Sequence, residues 1–98
     1  MKQKRPILLI RRVHGESMQP SLKPGQIVLA SGLFRQLSPQ QVVIIRHQGL
    51  EKIKRIERLR QGHVFVVGDN PRASRDSHQF GWLPLDTVVA RVFWPRLT

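Results

Sequence analysis

The chain has no cysteine, which excludes a disulfide framework and any thiolate metal site. That fits a reducing compartment, and a cytoplasmic location is the expectation. Long apolar runs are missing as well. The longest, such as Ile7-Leu8-Leu9-Ile10 and Val42-Val43-Ile44-Ile45, are four residues, against about 20 for a membrane-spanning helix. The N-terminus is basic, but its apolar stretch is too short for a signal peptide. A soluble protein with no membrane anchor is expected. Acidic residues are scarce: six Asp+Glu against seventeen Lys+Arg leave a net charge of +11. Repeats and low-complexity segments are absent.

What remains is a chain of 98 residues, 40% of them hydrophobic. That is enough apolar material for one compact core and too little chain for two. A single domain over 1–98 is expected, with a catalytic core over about 13–95 and a basic N-terminal segment, 1–6. Arginine outnumbers lysine twelve to five. So basic a chain raises the prior for an anionic partner. The basic residues are dispersed, however, with no aromatic interleaving of the RNA-binding kind. A solvated basic surface is the preferred reading, and the pattern weighs against nucleic acid as the partner. The four histidines, His14, His47, His63 and His78, lie far apart in sequence and form no His-Glu-x-x-His motif, so neither a metal site nor a cofactor is expected.

Gly and Pro cut the chain into short pieces. Ile7–His14 reads as a strand. Gly15–Leu22 reads as a turn or a single helical turn, followed by a tight Lys23-Pro24-Gly25 turn. Gln26–Ala30, Val42–His47, His63–Val67 and Val88–Trp94 read as strands, and 32–40 and 68–82 as loops. Leu50–Leu59 is ambiguous. Leu50, Ile53, Ile56 and Leu59 recur every three residues, as on a helix, whereas the Gln48-Gly49 and Gln61-Gly62 turns suit a strand. Five or six short strands predict an all-β barrel or sandwich, with one short helical turn near Ser17.

Three segments carry chemistry. Gly15-Glu16-Ser17-Met18-Gln19-Pro20-Ser21-Leu22 holds a serine in a turn, which alone usually just bonds its own backbone. Leu50-Glu51-Lys52-Ile53-Lys54-Arg55-Ile56 sets lysines among apolar strand residues. A half-buried lysine loses hydration of its charged form, so its pKa falls and a neutral amine becomes available as a base. Strand periodicity does not choose between Lys52 and Lys54, which point to one face. Gly68-Asp69-Asn70 and Ser74-Arg75-Asp76-Ser77, closing at Phe80-Gly81, form a dense polar loop of the kind that orders a site.

Together, in this order, the three segments resemble the boxes of the serine–lysine endopeptidases related to type I signal peptidases and to LexA-type self-cleaving repressors. The serine box is similar to Gly-x-Ser-Met-x-Pro-Thr-Leu, the second to Lys-Arg-Val/Ile, and the third to Gly-Asp-Asn with Ser-x-Asp-Ser, which belongs to the signal peptidase branch. The resemblance spans roughly Val13 to Pro95. It implies Ser17 as nucleophile, Lys54 as general base, and the Ser17 backbone N–H as oxyanion donor. It implies that Ser74 holds the Lys54 amine, that Asp69 pairs with Arg55, and that Asp76 supports the loop. This sequence departs from the family pattern at Ser21 (usually Thr), at Gln26 (usually Asp) and at His78 (usually Arg). Gly15 stands where some signal peptidases carry a serine hydroxyl.

Short length, the expected lack of an anchor and the signal-peptidase-type third box make the chain similar to the nickel-type superoxide dismutase maturation proteases, which implies a precursor protein as partner and removal of its N-terminal leader. An anchorless signal peptidase-like protease with another substrate is the alternative within this chemistry. A Ser17/His14/Asp69 triad leaves Lys54-Arg55-Ile56 unexplained. The self-cleaving repressor reading lacks a scissile Ala-Gly or Cys-Gly dipeptide. A non-enzymatic basic β-module binding nucleic acid is the alternative from another class.

Overall fold

A computed structural model describes residues 5–97. Residues 1–4, most of the expected basic segment 1–6, lie outside the described residues. The fold is all-β, as expected. Seven antiparallel strands form one sheet in the order β1-β2-β7-β3-β4-β5-β6: β1 (Leu9–Arg12), β2 (Ile27–Ser31), β3 (Val42–His47), β4 (Leu50–Arg60), β5 (His63–Val67), β6 (Leu83–Pro84) and β7 (Val88–Trp94). Of the predicted barrel and sandwich, the structure has a single sheet rather than two stacked ones. The strand beyond the expected count is β6, only two residues long, which pairs with the start of β5.

The ambiguous segment is the longest strand, β4. It pairs with β3 through the Gln48-Gly49 turn and with β5 through the Gln61-Gly62 turn. Its three-residue apolar spacing has a physical cause. Ile53 and Ile56 lie on opposite faces of the pleat, and both faces are covered. Ile53 packs with Ala30, Ile44 and Ala90. Ile56 packs with Val43, Ile45, Val66 and Val88. A register shift between Ile56 and Arg58 then changes the phase for Leu59, as a bulge does.

The sheet curls so that its first strand faces its fifth in spatial order. Arg11 of β1 reaches the Glu51 carboxylate of β4 through Nε at 2.7 Å and Nη2 at 3.1 Å, although three strands separate them in the sheet. In the turn after β1, the Leu22 N–H donates to the Met18 carbonyl at 2.9 Å, closing a single helical-type turn beside Ser17. Met18 and Leu22 anchor that turn by packing against Val13, Val28 and Val42.

The expected loop 68–82 contains more structure than its composition suggested. A 3-10 turn spans Pro71–Ala73, and helix α1 spans Ser77–Phe80. Asp76 caps α1: its carboxylate accepts from the His78 N–H, while Gln79 Oε1 accepts from the Asp76 N–H at 2.8 Å. Such reciprocal capping satisfies donors that a one-turn helix leaves open.

Candidate active site

Lys54 stands on β4 directly across from Val43 of β3, with only 3% of its surface exposed. Lys52, two residues earlier on the same face, is half-buried, its ammonium 5.2 Å from the centre of the Phe80 ring. Burial therefore separates the two lysines that sequence periodicity left equivalent.

The Lys54 amine donates to Ser74 Oγ at 3.0 Å, and Ser74 Oγ donates to Asp76 Oδ2 at 3.0 Å. The direction of this relay matters. A serine hydroxyl has one proton, and here it is shared in the hydrogen bond to Asp76. Ser74 is therefore an acceptor toward Lys54. In its neutral form the amine keeps its lone pair free for a proton from elsewhere. Burial lowers the Lys54 pKa; the Asp76 charge opposes this and the Lys52 charge adds to it, with a net lowering from the ordinary 10.5.

Asp76 is itself buried, 4% exposed. Burial pushes its carboxyl up, but hydrogen bonds from the Gly68 N–H, the His78 N–H, Ser74 and the His78 ring outweigh this and hold it low. The His78 ring, in the place of the family's usual Arg, lies 3.0 Å from Asp76 Oδ1. Two backbone donors and Ser74 hold the carboxylate as well, so the loop does not depend on the ring alone.

A second polar cluster clamps this loop to β4 and to the serine turn. Arg55 Nε and Nη2 both donate to Asp69 at 2.8 Å, the bidentate geometry that suits guanidinium and carboxylate. Ser21 also donates to Asp69. In the sequence Ser21 stands only as a departure from the family's usual Thr. Its hydroxyl in fact joins the serine box to the third box, a role whose only sequence signal was a hydroxyl at that position. Asn70 was likewise given no role. Its backbone N–H donates to the Ser17 carbonyl at 2.8 Å, and its Nδ2 to the Glu16 carbonyl at 3.1 Å. A Cβ at Gly68 would collide with Ser74 Oγ and would lie 2.7 Å from the Ser17 carbonyl oxygen. Glycine at 68 is what lets the serine turn and Ser74 close on one point.

Ser17 and Lys54 line the same cleft, about 350 Å³ in volume, between the end of β1, the serine turn and β4. Val13, Met18, Ile44 and Ile53 give it apolar surface, and Arg11, Arg12, His14, Glu51 and Lys52 give it polar edges. Among the described residues, the Ser17 N–H makes no hydrogen bond within the chain. Of the predicted site residues, Ser17 and Lys54 share the cleft, Ser74 and Asp76 stand in line behind Lys54, and Arg55 and Asp69 brace the loop from the side. His14 lines the cleft, but Asp69 is committed to Arg55 and Ser21, so the alternative Ser17/His14/Asp69 triad does not form. The described residues hold no group of three or more His, Asp and Glu suited to a metal ion.

Several known proteins are similar to this chain. Mitochondrial inner membrane protease subunit 2 of Mus musculus is 29% identical over 120 aligned positions, covering 91% of this chain and 69% of that protein. The same subunit of Danio rerio is 32% identical, covering 88% and 64% respectively. Thylakoidal processing peptidase 1 of Arabidopsis thaliana is 47% identical over 38 residues, which is 36% of this chain and 11% of that protein. The chain thus spans from about a tenth to about two-thirds of these relatives' lengths. Residues 45–97 match the family described as signal peptidase, peptidase S26, a span that holds Lys54, Arg55, Asp69, Ser74 and Asp76 and excludes Ser17. With more than half of its length matched, the chain belongs to the peptidase S26 signal peptidase family.

Proposed function

We propose that this chain is a serine endopeptidase that removes an N-terminal leader from a precursor protein through a Ser17/Lys54 dyad. The observation that carries the reading is the buried Lys54 amine, held by Ser74 with its lone pair unclaimed, in the cleft that Ser17 lines. In the first step the Ser17 hydroxyl gives its proton to neutral Lys54 as Oγ adds to the scissile carbonyl carbon. The carbonyl π pair moves to oxygen, and the Ser17 N–H donates to the resulting oxyanion. Collapse breaks the C–N bond. The leaving amine takes the proton from Lys54, and an ester remains on Ser17. A water then gives its proton to Lys54 and adds to the ester. Ser17 Oγ leaves and recovers that proton.

Two features support the dyad over a bare serine. Burial depresses the Lys54 pKa, which favours the neutral amine that a general base needs. The Ser74–Asp76 relay and the Arg55–Asp69 clamp fix the amine's position, and small errors in such geometry are costly.

The finer reading takes the precursor of nickel-type superoxide dismutase as substrate and the cytoplasm as compartment. It rests on the resemblance of the third box, Gly68-Asp69-Asn70 with Ser74-Arg75-Asp76-Ser77, to the maturation-protease branch. Incubating the chain with that precursor, followed by mass measurement of the new N-terminus, tests it. Loss of one defined leader, absent with the Ser17→Ala protein, is expected. An untouched precursor alongside cleavage of other leaders would leave the dyad and remove this substrate.

A further inference from the structure

The charged residues on the cleft are not equivalent once their partners are counted. Glu51, the one carboxylate there, is already neutralised twice: by Arg11 at 2.7 and 3.1 Å and by Arg46 at 3.3 Å. Lys54 is buried and engaged with Ser74. Arg12 gives one guanidinium nitrogen to the Gly25 carbonyl at 2.9 Å and keeps its other donors. Lys52 is half-buried and has no carboxylate partner among the described residues. Lys52 lines the cleft, and its ammonium lies 5.2 Å from the centre of the Phe80 ring. The cleft therefore carries two cations, Lys52 and Arg12, whose charge the protein leaves unmatched.

We propose that this cleft selects a substrate segment bearing an acidic side chain, with Lys52 and Arg12 as its recognition groups. The proposal takes from the peptidase reading only that the ligand is an extended peptide. A carboxylate beside Lys52 replaces an uncompensated, partly desolvated cation with a charge-assisted hydrogen bond. A basic side chain in the same place is repelled by both cations, so the cleft discriminates in both directions. The chain's overall +11 charge is a different effect. At physiological salt, charges more than about 8 Å away are largely screened, so only the cations on the cleft itself select by position.

The test uses the Ser17→Ala protein and nonapeptides of Ala, Gly and Val that carry a single Glu, Gln or Lys walked through every position. Affinity is measured at 0.15 M salt. Tighter binding of Glu than Gln by about five- to tenfold at one or two adjacent positions is expected, with Lys weakest there. Lys52→Gln is expected to remove most of that ratio. Arg96→Gln deletes the same charge from an exposed position off the cleft and is expected to leave the ratio intact. Equal binding of Glu and Gln at every position, equal loss in both variants, or no peptide binding at all would overturn the proposal. Cleavage of the same peptides by the unmodified protein reads the peptidase assignment separately. Cleavage without charge preference sinks the selectivity and keeps the chemistry, whereas charge-selective binding without cleavage does the reverse.

Discussion

At Lys54 two opposing influences meet. The buried surroundings disfavour the ammonium form, and the nearby Asp76 carboxylate favours it; burial wins. The consequence for stability has a definite sign. Between the lowered folded pKa and the ordinary 10.5, the unfolded chain binds a proton that the folded chain does not. Stability therefore rises with pH across that window and is lowest below it. Lys54→Met carries no buried charge and fills similar space. It is expected to be more stable than the native protein near pH 7 by about 1 kcal/mol, with that pH dependence gone; denaturant titration at several pH values checks this. Activity moves the other way. Ser17→Ala and Lys54→Ala are each expected to lower precursor cleavage by at least about 10²–10⁴-fold with the fold retained, read by cleavage rate beside circular dichroism.

Between elements, the decisive join is the loop 68–76 against β4 and the serine turn. Arg55 and Asp69 are both mostly shielded from solvent, with side-chain exposures of 14% and 15%. Asp69→Asn leaves a shielded guanidinium without its counter-charge and is expected to cost about 2–4 kcal/mol, measured by denaturant unfolding. Gly68→Ala pushes a methyl group into Ser74 and the Ser17 carbonyl. It is expected to cut cleavage far more than it cuts stability, because the groups displaced are those that hold the proposed dyad; paired rate and unfolding measurements decide this.

Much of this scale was legible in the sequence. The two Gly-bearing turns around β4 marked a strand, and the boxes marked Ser17, Lys54, Arg55, Asp69, Ser74 and Asp76 as neighbours. The three-residue spacing in β4 misled because a strand covered on both faces, with a bulge at its far end, has no clean period of two. The capped helix at Ser77–Phe80 was hidden because its stability comes from the Asp76/Gln79 reciprocal cap and from the buried Ser77 hydroxyl, which accepts the Val66 N–H at 2.9 Å, rather than from a helical apolar stripe. The contacts of Ser21 and Asn70 are not legible in the sequence because their partners lie 48 and 54 residues away, and nothing local announces them.

For the molecule as a whole, acid is the condition that tests the fold. Asp69 and Asp76 both have folded pKa values held below the ordinary 3.8. Burial raises each, and their hydrogen-bond donors, with the Arg55 charge at Asp69, more than offset it. Their contribution is complete above that value and is lost as pH falls through the lowered ones. A stability profile that drops below about pH 4, with the drop reduced in Asp69→Asn, is expected from thermal unfolding across pH. High net positive charge in acid adds repulsion in the same direction.

The most direct measurement is a nuclear magnetic resonance titration of lysine side chains labelled with ¹³C at Cε, with Lys54 assigned from the Lys54→Met protein. Lys54 is expected to titrate below the ordinary 10.5, and the acid limb of the cleavage rate is expected to follow its midpoint. A Lys54 that titrates at or above the ordinary 10.5, or a cleavage rate that ignores its protonation, would contradict this.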